Sequence, residues 1–413
     1  HDYINSAAKN GAIACLISEK SKNNKKIALS KVDNVLETLK IMAKDARKRS
    51  HAKFIAVTGS VGKTGTKDMM HLALSKVAST YSNESSYNNY LGVPLSLARV
   101  PANINYCILE LGMNKKGEIR ELSKLVMPEV AILTAIEESH LEGLKSLKNI
   151  ADAKSEILEN LDVNGCLIIN IDTNFSEYII KKAHKLGIKN IISYGKSKSS
   201  NVRLVGYHAY ENKYAVQALC FGIKVSWIMP AVGIHWIYNS LSILALSSYF
   251  KIDIKNLLTD LSSFKVPLGR GNNIDLKYKN QSFLLIDDSY NSNPASLTAS
   301  LENFSKLKVR GRKILVLGDM MELGENSNKL HRDLGVKVES FDFNILFTIG
   351  KYMHELNKIV KNIEDKYHDD NLNNLSEKIL KYLKGGDAIL FKGSNSVNLK
   401  KVINHIKKEC AEI

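Results

Sequence analysis

A strand, a glycine-bearing turn and a helix follow one another directly, and this succession constrains the chain more than any other feature. The apolar run Phe54-Ile-Ala-Val57 leads into Thr58-Gly-Ser-Val-Gly-Lys-Thr64, and a helical pattern from Lys67 to Val77 comes next. In such an arrangement backbone N–H groups point at phosphate oxygens, and the helix N-terminus favours an anion. Lys63 is placed to reach the outer phosphates and the Thr64 hydroxyl to hold Mg²⁺. Val57 stands where the strict G-x-x-x-x-G-K-[ST] pattern has its first glycine. The flanking strand and helix outweigh that departure. Thr58, Gly59, Ser60, Val61, Gly62, Lys63 and Thr64 are therefore the candidate nucleotide-binding residues.

The same alternation continues downstream. Strands are expected at Ile104 to Leu109, Val130 to Thr134 and Cys166 to Asn170, and helices at Ile119 to Leu125 and Ile150 to Leu161. This order argues for a parallel α/β sheet. Residues Val202 to Val225 read as antiparallel strands, followed by a helix from Ile237 to Tyr249. A boundary falls at Val266-Pro-Leu-Gly-Arg270. Beyond it a second α/β series has strands at Phe283 to Ile286, Lys313 to Leu317, Ile345 to Ile349 and Ala388 to Phe391. No G-x-G-x-x-G follows any of them, so this half is Rossmann-like without the dinucleotide fingerprint. Ahead of Phe54 lie a helix (Tyr3 to Lys9), a strand (Ala12 to Ile17), a helix (Val35 to Arg49) and a basic linker (Arg47 to Lys53). The expected fold is multidomain α/β, with segments 1–48, 49–266 and 267–413. It has a central parallel sheet like that of P-loop ATPases and a C-terminal Rossmann-like part.

Composition narrows the function. The net charge of +16 over 413 residues invites a nucleic-acid partner. However, the lysines are scattered, and the densest clusters, Lys20 to Lys26 and Lys44 to Lys53, read as solvated loops or linkers. No nucleic-acid role is expected. The five cysteines show no C-x-x-C spacing, which argues against a zinc ribbon and fits a reducing compartment. The most apolar stretch, Trp227 to Phe250, is broken by Pro230, His235 and Asn239, so no membrane span is expected. With no signal peptide at the start, a cytoplasmic monomer is expected.

Several residues stand out chemically. Glu110 ends a strand, where a carboxylate could join Thr64 in holding Mg²⁺. Lys154 falls inside an apolar stripe at positions 150, 153, 157, 158 and 161. There it must snorkel, pair or lose its charge. His140 follows a strand end of the same sheet. Asp287 and Asp288 end an apolar strand, and Asn293 before Pro294 reads as a helix cap.

Together these residues resemble the Mur ligases, ATP-dependent amide ligases of peptidoglycan synthesis. The phosphate loop Thr58 to Thr64, Glu110-Leu-Gly-Met-Asn114 with Gly117-Glu-Ile, His140-Leu-Glu-Gly143 and Ala153-Lys-Ser-Glu-Ile157 carry the likeness. So do Asn88-Asn89 with Leu91-Gly-Val-Pro94, Asp287-Asp-Ser-Tyr-Asn-Ser-Asn-Pro294, Gly318-Asp-Met with Glu322-Leu-Gly324 and His331, and Lys392-Gly-Ser394. These last motifs resemble the branch whose amine substrate is D-alanyl-D-alanine and whose acceptor is UDP-N-acetylmuramoyl-tripeptide. The resemblance runs from residue 1 to about 410.

It implies ATP as substrate and two Mg²⁺ ions held by Thr64, Glu110, His140 and a carbamylated Lys154. It also implies catalytic roles for Lys63, Lys154, His140 and Arg270. Asn239 would contact adenine, and Arg270 and Asp288 the ATP phosphates and ribose. Asn88, Asn89, Asn291, Asn293, Lys392 and Ser394 would bind the peptide substrates. Ile234 and Trp236 stand where the family usually has Arg and Asn, and Asn395 where an Arg is common. His1 looks like the end of an Asp-Gly-His motif, so the chain reads as starting within the family's N-terminal domain. The alternatives are another Mur-type or a folylpolyglutamate-type ligase, a P-loop NTPase acting on nucleic acid, and an ATP-binding protein without catalysis.

Overall fold

A computed structural model describes residues 1–19, 27–84, 86–210, 213–231 and 233–413. The lysine cluster Lys20 to Lys26 lies outside the described residues.

The phosphate-loop strand Lys53–Thr58 sits inside a nine-stranded sheet. It lies between Tyr106–Glu110 and Val130–Leu133, parallel to both. Phe54 and Ala56 face one buried cluster, while Ile55 and Val57 face the other. Burial on both faces explains the unbroken apolar run and is characteristic of parallel sheets covered by helices. Helices Lys63–Ser75, Ile234–Phe250 and Ile254–Leu261 cover one side. Helices Gly92–Ala98, Glu118–Val126, Leu147–Lys154 and Ser176–Lys185 cover the other.

The strands expected as antiparallel are Val202–Tyr210, Lys213–Cys220 and Ile223–Met229. They extend the same sheet, because Val202–Tyr210 pairs in parallel with Asn190–Gly195 before the direction alternates.

The second unit is a seven-stranded sheet. Strands Asp365–Asp369, Ile345–Ile349, Lys313–Gly318, Ala388–Lys392 and Gln281–Asp288 run parallel in that spatial order. Asn272–Tyr278 adds an antiparallel strand, and the short Ala411–Glu412 pairs antiparallel with it at the edge. The helix Pro294–Lys306 opens with a capping box in which Asn293 and Ser296 bond each other's backbone, as the sequence suggested. One buried apolar cluster contains Leu141 and Leu144 of the central unit together with Leu323 of this one.

Two expectations are corrected. The single helix at Ile150 to Leu161 is an α-helix, Leu147–Lys154, followed by a 3₁₀ turn, Ser155–Asn160. The Ser155 hydroxyl bonds back to Asp152 O at 2.8 Å, and the Glu156 carboxylate is drawn to the Gly117 N–H. Such side-chain bonds compete with regular winding. The basic segment Arg47 to Lys53 is not a linker: it joins the end of one helix to the start of the phosphate-loop strand, and its basic side chains are exposed as expected except for Arg47. Arg47 lies on helix Val35–Arg49, its guanidinium over the Phe54 ring at 3.9 Å and bonded to the Val126 and Met127 carbonyls. It thereby satisfies the C-terminal end of helix Glu118–Val126. Ahead of that helix, Ala14–Ile17 and Ala28–Lys31 pair in parallel.

Candidate active site

The loop between Thr58 and Lys63 is shaped by the Thr134 side chain and by backbone carbonyls just beyond the same neighbouring strand. The Thr134 hydroxyl donates to Val61 O at 2.6 Å. Ser60 N–H donates to Ala135 O at 2.7 Å, and the Ser60 hydroxyl to Glu137 O at 2.8 Å. Gly62 caps helix Lys63–Ser75 with φ 86°, and an added Cβ would meet Asn239 Oδ1 at 2.9 Å. Asn239, buried on helix Ile234–Phe250, thus lies against the loop backbone, and its Nδ2 has no hydrogen-bond partner among the described residues. Lys63 folds over the loop, with Nζ donating to Gly59 O at 2.8 Å. Its pKa is lowered by burial and by Arg270, against the opposing pull of Glu110.

Glu110 is almost fully buried at the end of its strand. Its Oε2 accepts the Thr64 hydroxyl at 2.7 Å and its Oε1 accepts Asn88 Nδ2 at 2.7 Å. Its backbone N–H donates to Asn83 Oδ1 at 3.0 Å. Arg270 arrives from the far side of the chain boundary. Its Nη2 donates to the same Thr64 hydroxyl at 2.8 Å, and its guanidinium lies 4.1 Å from the Tyr290 ring centre. Residues 206 positions apart therefore share one hydroxyl.

Lys154 is the last residue of its helix and 1% exposed. Among the described residues it makes no hydrogen bond or ion pair. Burial drives its pKa well below the lysine range, and the nearby Lys63 lowers it further, while Glu110 opposes both. Burial without a partner leaves no room for snorkelling or pairing, and so favours the uncharged form among the three outcomes open to it.

His140 stands at φ 56°, with Nδ1 2.5 Å from Glu322 Oε2 of the C-terminal unit, a close approach whose ring N–H is not aligned as a hydrogen bond. This contact holds the Glu322 carboxyl below the usual range. A second cluster surrounds Lys392, whose Nζ reaches Asp288 Oδ2 at 2.9 Å and Asn291 O at 3.1 Å. The Ser300 hydroxyl also donates to Asp288. Ser394 accepts Met321 N–H at 2.8 Å and donates to Ser292 O at 3.4 Å.

The structure therefore brings Thr58 to Thr64, Glu110, Lys154, Arg270, Asn88 and Asn239 into one centre. It gathers Asp288, Asn291, Lys392 and Ser394 into a second, while the Asn293 side chain is engaged in capping helix Pro294–Lys306. Asn89 instead closes the turn leading into helix Gly92–Ala98, its Oδ1 accepting the N–H groups of Leu91 and Gly92. Sequence reasoning missed Thr134 and Asn83. Both act through contacts across the sheet, and nothing in their local sequence marks them.

The donors suit Mg²⁺ with a nucleotide. Glu110 and Thr64 supply hard oxygens 2.7 Å apart beside a glycine-lined cradle. Among the described residues no three His, Cys, Asp or Glu side chains form a metal cage. Phosphate oxygens and water would complete the shell, as is usual for this ion.

Comparison with known proteins follows the same division. Residues 57–247 match the Mur ligase middle domain, and residues 274–395 match the Mur ligase glutamate ligase domain. The UDP-N-acetylmuramoyl-tripeptide–D-alanyl-D-alanine ligase of Rickettsia prowazekii is 33% identical, covering 98% of this chain and 89% of its own. A MurF crystal structure from Acinetobacter baumannii has a TM-score of 0.85 at 25% identity, over 99% of this chain and 88% of its own. The MurF ligase of Thermotoga maritima in complex with ADP has a TM-score of 0.81 at 25% identity, over 99% and 91%. With the motifs, the fold and near full-length similarity in agreement, the chain belongs to the Mur ligases.

Proposed function

We infer that the protein joins D-alanyl-D-alanine to UDP-N-acetylmuramoyl-tripeptide at the expense of ATP, in peptidoglycan precursor synthesis. The carrying observation is the shared Thr64 hydroxyl. It accepts a hydrogen bond from Arg270 and donates one to Glu110, so a phosphate-loop centre is completed from the dipeptide-side unit. The named relatives support the choice of amine and acceptor.

In this reading the tripeptide carboxylate attacks the γ-phosphate of ATP, giving an acyl phosphate and ADP. The amine of D-alanyl-D-alanine then attacks the acyl carbon and expels phosphate. Lys63 and Arg270 neutralise charge growing on the transferred phosphoryl group, and the loop N–H groups orient it. Thr64, Glu110, His140 and Lys154 would hold Mg²⁺, which supplies further charge neutralisation when bound. An uncharged, unpaired Lys154 amine is the form that takes up CO₂, and its carbamate would be an anionic oxygen donor.

Lys392, Asn291, Asn293 and Ser394 shape the dipeptide side, Asp288 the ribose side and Asn239 the adenine side. Asn88 acts through Glu110, and Asn89 holds the turn beneath the acceptor. Segment 1–48 carries the uridine-nucleotide side, 49–266 ATP and 267–413 the dipeptide. A monomer is the oligomeric state this reading expects. Among the described residues no helix is long and apolar enough to cross a membrane. The cytoplasm is the compartment expected for a reaction that draws on ATP and a nucleotide-sugar.

Phosphate release should require ATP, Mg²⁺, the UDP-linked tripeptide and D-alanyl-D-alanine together. Full release without the dipeptide, or with glutamate in its place, would overturn the assignment. Labelled bicarbonate should give a carbamate ¹³C resonance that disappears in Lys154→Met.

A further inference from the structure

The His140–Glu322 approach is a short charge contact and not an aligned hydrogen bond, and what sets it apart from an ordinary surface ion pair is the backbone on both sides. Both residues occupy the left-handed backbone region, His140 at φ 56° and Glu322 at φ 63°. That region is uncommon for any residue with a side chain, and Glu lacks the enrichment seen for His. The two turns also bond through the backbone, Glu142 N–H donating to Glu322 O at 2.9 Å. Gly324, at φ 61°, lies so close that an added Cβ would stand 3.2 Å from Glu142 Cα. On the other side, a Cβ at Gly143 would reach Asn114 O at 2.5 Å. The His140–Gly143 turn is thus wedged between the Glu110–Asn114 segment and the C-terminal unit. The Glu322 side chain is 50% exposed, and pairs at such exposure add little to stability. Two strained backbones meeting at one contact call for a role beyond holding the fold.

We propose that Glu322 is a positioning residue: it latches the C-terminal unit onto the His140 ring and fixes that ring with Nδ1 toward the carboxylate. Nε2, which has no partner among the described residues, is then the nitrogen left for a metal ion. A carboxylate behind a metal-binding imidazole sets its tautomer and orientation. Here the carboxylate belongs to the other unit, so the imidazole is oriented only while the two units are docked. Docking and completion of the metal site become one event, which is how closure commits a substrate. The inference rests on reading His140 as a Mg²⁺ ligand.

The test uses the full chain with ADP and three variants, Glu322→Ala, Glu322→Gln and Glu322→Gly. Closure is followed by energy transfer between dyes placed one on each unit. Metal affinity is followed by paramagnetic resonance titration with Mn²⁺. Glu322→Ala should bind ADP normally, populate the closed arrangement less and lose about 10-fold in Mn²⁺ affinity. Glu322→Gln keeps an accepting oxygen and should regain most of the closure. Glu322→Gly relieves the backbone but lacks the carboxylate, so it should behave as Glu322→Ala.

Wild-type closure and Mn²⁺ affinity in Glu322→Ala would overturn the latch. So would recovery of both in Glu322→Gly, which would show that backbone strain alone governs docking. Neither readout uses the peptide substrates. A wild-type chain that fails to ligate D-alanyl-D-alanine while the variants still lose closure would therefore sink the ligase reading and support the latch.

Discussion

At the residue scale, Lys154 carries the sharpest consequence. A lysine held neutral in the folded chain but protonated when unfolded costs stability below the ordinary lysine pKa of about 10.4. The folded state then binds fewer protons than the unfolded one, so the penalty grows as pH falls from that value. Lys154→Met should therefore raise the thermal midpoint at pH 7 in CO₂-free buffer, with the gain shrinking toward pH 10. A midpoint that falls, or a gain independent of pH, would contradict a neutral buried amine. Lys63→Ala should abolish phosphate release while leaving the fold intact by circular dichroism. Both lysines could be picked out in the sequence, one by its glycine-rich turn and the other by an apolar stripe that has no place for a charge. Asn83 could not. Its importance lies in accepting the Glu110 N–H and in offering its own carbonyl to the buried Lys67 ammonium at 2.7 Å.

At the scale of elements, regular spacing identified most helices and strands, and local side-chain chemistry decided where they stopped. The strands with mixed polarity were not anticipated. Asp365–Asp369 and Asn272–Tyr278 lie toward the sheet margins, where one face meets water and the apolar run breaks up. The helix after Asn293 was anticipated because its cap is written in consecutive residues. Asn293→Ala should cost about 1 kcal/mol in denaturant unfolding of the C-terminal unit, the usual value of such a cap. Loss of ligase activity without any change in stability would instead assign the side chain to substrate alone. Arg47 shows the opposite case. One member of a basic cluster that is otherwise exposed is recruited to a carbonyl 79 residues away, because a helix end leaves acceptors that a donor from outside can satisfy.

At the scale of the whole molecule, Arg270 joins the two sheets at Thr64. Arg270→Ala should lower turnover by about 10²-fold, in the range found when one donor to a developing charge is removed. ADP binding and the thermal midpoint should stay near wild type; loss of ADP binding would place Arg270 in ground-state binding instead. The net charge of +16 is spread over the chain, so DNA or RNA should leave phosphate release unchanged at low salt. Stimulation with a steep salt dependence would revive a nucleic-acid role. The sequence by itself determined the α/β alternation, the phosphate loop, the strand-end carboxylate and the misplaced lysine. Each of these is a pattern over neighbouring residues, where spacing dictates which side is buried. Only the tertiary structure decided that Arg270 meets Thr64, that Glu322 meets His140, that Asn88 supports Glu110 and that Thr134 shapes the loop. Those pairings depend on how strands order themselves in a sheet and how two units dock, and local spacing does not encode contacts between residues so far apart in the chain.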